Sequence, residues 1–283
     1  MVSSICISPA ERWKDIASGP EAGIDLAEAA LVIAAEEYRD LDIPAYLARI
    51  EEMAAALRRR LRRDISATET IIALNHYLFD ELGFSGNAAD YYDPRNSFLN
   101  DVLDRRLGIP LTLSVIYMEV GRRVGLALHG VAFPGHFLVK CVVRNGAIVL
   151  DPYARGTSLG LDDLEQRLRA LHGGELRPES VRQLLTAASN KEILARMLRN
   201  LKSIYVKRRD LDRALSVADR LIVLEPEAAE EYRDRAGIYL GLECFRAALA
   251  DFRSYAGLKP QAPDTEAIRE KISELQRVAA RLN

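Results

Sequence analysis

Residues 108–125 read GIPLTLSVIYMEVGRRVG, and this stretch decides the fold. Its apolar positions Leu113, Ile116, Tyr117, Val120 and Val124 recur at the three-to-four spacing of one helical face. Pro110 suits the first helical turn, where a missing N–H leaves no hydrogen bond unmade. The spacing predicts a buried helix from Pro110 to Arg123. After Gly125 the period shortens to β-rich runs at 128–133, 136–143 and 147–150. The last two are joined through Asn145-Gly146, a strong hairpin-turn signal. A helix followed by an antiparallel sheet is α+β architecture.

Upstream, residues 24–38 are Ala-rich and helical in pattern. Asp42 then precedes a segment with Tyr46, Leu47, Ile50, Met53, Leu57 and Leu61 on one face, and a further helix is expected over 68–82. The stretch 83–96 breaks into Gly, Asn, Asp and Pro, including Asn87, Asp93, Pro94 and Asn96. That is surface-loop composition, at a length that often carries function. Downstream, 161–171 is amphipathic, and His172, Gly173, Gly174 and Pro178 mark a boundary. The expected organisation is an N-terminal helical part (1–95), a core (96–185) and a purely helical module (186–283).

The helical module repeats itself. One constant shift pairs Tyr205 with Tyr239, Ala214 with Ala248 and Pro226 with Pro260. Large Leu198 and Tyr232, small alanines where two helices touch, and prolines after the second helix match the tetratricopeptide pattern, and the shift matches its period. The Gly of the eighth repeat position is replaced by Lys202 and Ala236, and a helix from Thr265 to Leu282 is expected to cap the array. Two readings of this module stand side by side: a concave surface for a polypeptide, with Tyr205 and Tyr239 as candidate binding residues, or a scaffold for the first domain.

Three motifs carry chemistry: Gly108-Ile109-Pro110 at the helix start, Pro134-Gly135-His136-Phe137 opening one strand, and Leu150-Asp151-Pro152 closing the next. Their order resembles the transglutaminase-like (papain-like) core. In that superfamily a Cys two residues after a Gly begins the buried helix, and His and Asp follow on adjacent strands. The chemistry this implies is thiol acyl transfer: His promotes the thiolate, Asp fixes the His tautomer, and the helix N-terminus stabilises negative charge. Counting from Gly125 puts the nucleophile position at Pro110, where no acyl-enzyme can form. Together with Asn96-Ser97-Phe98-Leu99 and Leu103-Asp104-Arg105-Arg106, these motifs more closely resemble the SirB-type transglutaminase-like proteins. These are bacterial relatives with a C-terminal tetratricopeptide segment, and related domains occur in some F-box proteins. Pro in place of Cys belongs to that family's pattern.

Among substitute nucleophiles, Cys141 lies an odd number of residues after His136 on the expected strand and so faces away. Thr112 is rotated from Pro110, whereas Ser114 lies one helical turn on, which leaves Ser114 as the substitute. A tight turn at Asn145-Gly146 would set Asp151 opposite Lys140, too far along the strand to reach His136, so direct pairing needs a bulge or a looser turn. Arg105 and Arg106, beside Asn96 of the loop, offer an anion site or, more simply, ion pairs with Asp101 or Asp104. His76 and His129 have no partner at metal-ligand spacing, and neither metal nor cofactor is expected.

Composition narrows the function. The chain has 283 residues, 28% charged and 49% hydrophobic, which is globular rather than disordered composition. A net charge of -2 and a pI near 6.2 offer no global attraction to phosphate backbones or acidic membranes. The arginines at 58, 59, 60, 62 and 63 read as a solvated helix end. Cys6, Cys141 and Cys244 are scattered, which fits a reducing compartment. With no apolar run near membrane-spanning length and no signal-peptide start, the cytoplasm is expected. The leading expectation is a noncatalytic binding or regulatory protein with a polypeptide partner and no nucleic acid or membrane. The alternative is an amide hydrolase or acyl transferase using His136 and Asp151 with Ser114 or an activated water.

Overall fold

The computed structural model describes residues 8–144, 146–172 and 178–281. Cys6, Asn145 and the Gly173-Gly174 part of the expected boundary lie outside them. The chain divides into two compact units, residues 1–13 with 19–194, and residues 14–18 with 195–283.

The elements run α1 (Pro9–Ser18), α2 (Leu26–Ala34), α3 (Ile43–Arg58), α4 (Ala67–Asn75), β1 (Ser85–Gly86), α5 (Leu99–Arg105), β2 (Leu107–Gly108) and α6 (Pro110–Arg123). Next come β3 (Leu128–Val131), β4 (Leu138–Val143), β5 (Gly146–Asp151), β6 (Thr157–Leu159), α7 (Leu161–His172) and α8 (Pro178–Gln183). The helix starts are chemically marked. Asp25 accepts from Glu28 N, Asp42 accepts from Ala45 N, and Ser66 forms a reciprocal capping box with Glu69. The helix expected over 68–82 changes at Asn75 into a π-helical turn, His76–Glu81. Asn75 sits at that switch with its side chain held by the Tyr117 hydroxyl (2.8 Å) and the Gly156 carbonyl (3.0 Å).

Helix α6 starts and stops where the spacing predicts, but burial is not confined to one face: every residue from Pro110 to Gly121 is buried. It packs on β3 and β4 of an antiparallel sheet ordered β3-β4-β5-β6, and on the 3-10 turn Pro152–Ala154. On the sheet, Val131, Phe133, Leu138 and Val149 join Leu164 and Leu168 of α7 and Val181 of α8 in one apolar cluster. Each such side chain contributes ~1.5–3 kcal/mol by leaving water. β1 and β2 pair in parallel, Ser85 with Leu107 and Gly86 with Gly108, and so tie the loop of residues 87–96 to the start of α6.

The second unit holds most of α9 (Asn190–Arg208), then α10 (Leu211–Leu224), α11 (Ala229–Gly241), α12 (Phe245–Leu258) and α13 (Thr265–Arg281). The repeat period is written in its backbone. Arg209 and Glu243 adopt φ 59° and 58° at the two intra-hairpin joints. Glu225 and Lys259 close the second helices at φ -130° and -135°. Ala214 and Ala248 are fully buried where helices meet. Lys202, standing where the repeat pattern has Gly, is buried, and its Nζ reaches Glu231 Oε2 (2.5 Å) and Asp234 Oδ2 (2.6 Å). Arg199 Nε binds the other Glu231 oxygen at 2.7 Å.

Candidate functional site

The hairpin register corrects the expected geometry. Gly146 is already paired with Val143, and Val139 with Leu150, so Asp151 falls beyond Val139 and nearer His136 than a turn centred on Asn145-Gly146 would allow. His136 is also not in the strand. Pro134-Gly135-His136 forms a turn, with Gly135 at φ 68° and His136 N bonded to Phe133 O, and β4 opens only at Leu138. The face argument for Cys141 therefore lapses with the strand it assumed. Cys141 is buried, between Leu128 and Ile148 in the ladder, and burial pushes its thiol pKa up.

These two departures bring His136 Nε2 to 2.9 Å from Asp151 Oδ1. The same oxygen accepts from the backbone N–H of Tyr153 (3.1 Å) and Ala154 (3.2 Å), as the N-cap of the turn Pro152–Ala154. The second oxygen, Oδ2, meets Arg167 Nη1 at 2.8 Å. Burial alone would raise the Asp151 carboxyl, but the His136 and Arg167 bonds and charges outweigh it and hold the pKa below the usual value. With an ionised carboxylate as acceptor, His136 Nε2 is the donor of this bond. The Tyr153 ring stands edge-on to His136 at 6.0 Å. Gly86 makes room for it, since a Cβ there would fall 2.3 Å from the Tyr153 ring.

The first turn of α6 holds no acid-base side chain. Pro110 is buried in the first turn of α6. Ser114 is fully buried and its Oγ has no hydrogen-bond partner among the described residues, so it makes no bond to His136. Thr112 is structural: its Oγ1 accepts from Ile109 N (3.1 Å) and donates to Asn96 O (2.7 Å). Asn96 is the hub of the loop, donating to Asp90 O (2.7 Å) and accepting from Asn87 Nδ2 (3.0 Å). Arg105 takes Asp93 as its ion-pair partner (3.4 Å), not the expected Asp101 or Asp104, which are engaged by Tyr38 and by Tyr46 with Arg49. Arg106 donates to Leu82 O. His76 pairs with Glu81 at 3.1 Å; burial, with Arg122 and Lys140, lowers the His129 pKa. Among the described residues no cluster of three or more His, Cys, Asp or Glu could hold a metal ion.

Arg167 and Tyr153 are site residues that the sequence motifs did not single out. Arg167 sits on the polar side of amphipathic α7, where nothing distinguishes it from a solvated arginine. For Tyr153 a signal existed: it lies two residues after Asp151, the position whose N–H an Asp N-cap engages.

The second unit carries a groove of about 790 Å³ lined from α9, α11 and α13, with one residue each from α10 and α12; its apolar side chains are Val206, Leu211, Ile238, Leu240, Phe252 and Ile268. Tyr205 is buried and Tyr239 half-buried, under the guanidinium groups of Arg213 and Arg235 respectively; neither lines this groove. No helix among the described residues is long and apolar enough to cross a membrane.

A buried helix, a His-Asp pair at the end of the adjoining sheet, its His in the turn before β4, and a helical repeat of fixed period define a transglutaminase-like domain followed by a tetratricopeptide region. Comparison with known proteins agrees: residues 44–199 match the family model of the transglutaminase-like superfamily, and residues 201–273 that of a tetratricopeptide repeat. The chain belongs to the transglutaminase-like superfamily, within its SirB-type proteins. It is 40% identical over 264 residues to a UPF0162 protein of Xylella fastidiosa (strain Temecula1), covering 93% of this chain and 94% of that one. It is 28% identical over 249 residues to Protein SirB1 of Salmonella typhimurium, covering 87% and 91%. A shorter match, 31% over 188 residues, joins 62% of this chain to 28% of F-box only protein 21 of Mus musculus.

Proposed function

We propose that this chain is a noncatalytic, cytoplasmic recognition protein: a pseudoenzyme whose transglutaminase-like domain has lost acyl transfer and whose tetratricopeptide unit binds polypeptide partners. The observation that carries the reading is residue 110. Acyl transfer needs a thiolate at the start of the buried helix, and a buried proline with no ionisable group stands there. The one substitute on the same helical face, Ser114, is sealed in the core without a bond to a base. The test is release of ammonia and transfer of amine from glutamine-containing peptides by the full chain. The expected rate equals that of His136→Ala; a rate that His136→Ala abolishes overturns the proposal.

One observation favours a second reading. A His oriented at 2.9 Å by a buried carboxylate has the arrangement of a general base, so water activated by His136 would make the chain an amide hydrolase. In that case hydrolysis is lost in His136→Ala and in Asp151→Asn, and persists in Ser114→Ala.

A further inference from the structure

The two edges of the four-stranded sheet differ. At β3 the edge is closed, because Gly130 O accepts from Ala188 N at 2.8 Å. At the other edge β6 pairs with β5 alone, Val149 with Leu159, Leu150 with Ser158 and Asp151 with Thr157. Facing residues of an antiparallel pair alternate between exchanging both backbone bonds and exchanging none. If Asp151 and Thr157 were an unbonded pair, the next bond would come from the N–H of residue 152, and Pro152 has none. Asp151 and Thr157 are therefore bonded to each other, and Leu150 and Ser158 are not. The N–H and C=O of Ser158 then point outward, and neither has a hydrogen bond among the described residues. Thr157, Ser158 and Leu159 also include no charge and no proline of the kind that discourages pairing at an edge.

Beside this edge lies a cleft of about 550 Å³. Ile148 and Leu150 of β5 line it on the sheet side, where Ser158 shares their face, and Ile71 and Ile72 line it from α4. Ile72 is 61% exposed, a large aliphatic side chain left uncovered. The one charged side chain in the lining, Arg155, is paired with Asp80, and Thr68, Thr157 and Ser158 add only hydroxyls.

We propose that β6 and this cleft take an extended, uncharged segment of another polypeptide as an added strand, its backbone bonded to Ser158 and one large aliphatic side chain seated against Ile72 and Ile148. A backbone donor and acceptor turned outward on one residue are matched by the backbone of a second strand, and a side-chain cleft beside them reads one residue of that strand. The aliphatic walls select an apolar residue there, and the hydroxyl surround suits Thr or Ser on either side of it. This surface belongs to the first unit and is independent of recognition by the tetratricopeptide unit.

The test uses the full chain and two pools of fluorescein-labelled nonapeptides ended by Lys for solubility, one alternating Thr with Ile, Leu or Val and the other alternating Thr with Ser. Binding is read by fluorescence anisotropy, and amide hydrogen exchange at Ser158 by NMR of the deuterated protein. The aliphatic pool should bind about tenfold more tightly than the serine pool and slow exchange at Ser158 about tenfold. Ile72→Asp, at an exposed position, should weaken binding about tenfold. Ser158→Pro, which removes the outward donor and leaves the ladder bonds in place, should do the same. Leu258→Asp, also exposed but on α12, should leave binding unchanged. Binding that leaves exchange at Ser158 unaltered overturns the added strand. Slowed exchange that Ile72→Asp does not affect overturns the seat for the side chain. Binding indifferent to both Ile72→Asp and Ser158→Pro overturns the whole inference while recognition by the tetratricopeptide unit stands, and binding of neither pool overturns it as well. Exchange at Ser158 that slows as the protein alone is concentrated overturns it in favour of a second copy of this chain.

Discussion

Asp151 is a buried carboxylate that stays ionised because four donors converge on it, from His136, Arg167 and the N–H groups of Tyr153 and Ala154. Its folded-state pKa is depressed below the unfolded value of ~3.9. The stability it confers is then complete above that unfolded value and is lost as pH falls through the folded one. Urea midpoints measured from pH 7 down to pH 3 should therefore fall less steeply in Asp151→Asn than in the parent chain; identical acid limbs would refute this. At pH 7 the same substitution should cost about 2–3 kcal/mol, below the range for a wholly buried pair because Arg167 is partly exposed. Ser114 is the opposite case. Its hydroxyl is buried without a partner, so Ser114→Ala should leave stability unchanged or raise it by up to about 1 kcal/mol, read as a thermal midpoint. His136 and Asp151 were legible from their motifs, whereas Arg167 was not, because its bond joins the middle of α7 to the end of β5 with no periodicity to announce it.

Elements were legible in proportion to their length and period. Helix α6 could be read to its end residues because Pro110 marks its start and the apolar spacing runs its whole length. β1 and β2, two residues each, have no period to read, yet their parallel pairing brings Gly86 against Tyr153 beside His136. The hairpin was legible but its register was not: Gly146 enters the strand at φ 146° instead of sitting in the turn, and that moves Asp151 along the ladder. Gly86→Ala tests the close approach. The added methyl should cost about 1–3 kcal/mol by overpacking, and Tyr153→Ala in the same chain should restore part of it. Urea unfolding of the two single variants and the double variant measures the coupling; purely additive losses would contradict it.

Over the whole molecule, two sequence periods reported two kinds of construction. The α+β unit showed itself through a switch from helical to alternating spacing, and the second unit through self-similarity at one constant shift. Self-similarity marked Lys202 as a departure from the repeat but could not show that it is buried against Glu231 and Asp234. Stability in such an array is a sum over repeats and their interfaces. Inserting a second copy of residues 210–243 after Glu243 should then raise helical ellipticity by one repeat's worth and leave the melting midpoint no lower, as followed by circular dichroism. A lowered midpoint would mean that the joints are not equivalent. The matched left-handed backbone at Arg209 and Glu243 makes each joint a graduation on a ruler. The unit can gain or lose length in whole steps by gene duplication, and each step changes how long a surface it presents while leaving the sequence of the His-Asp pair untouched.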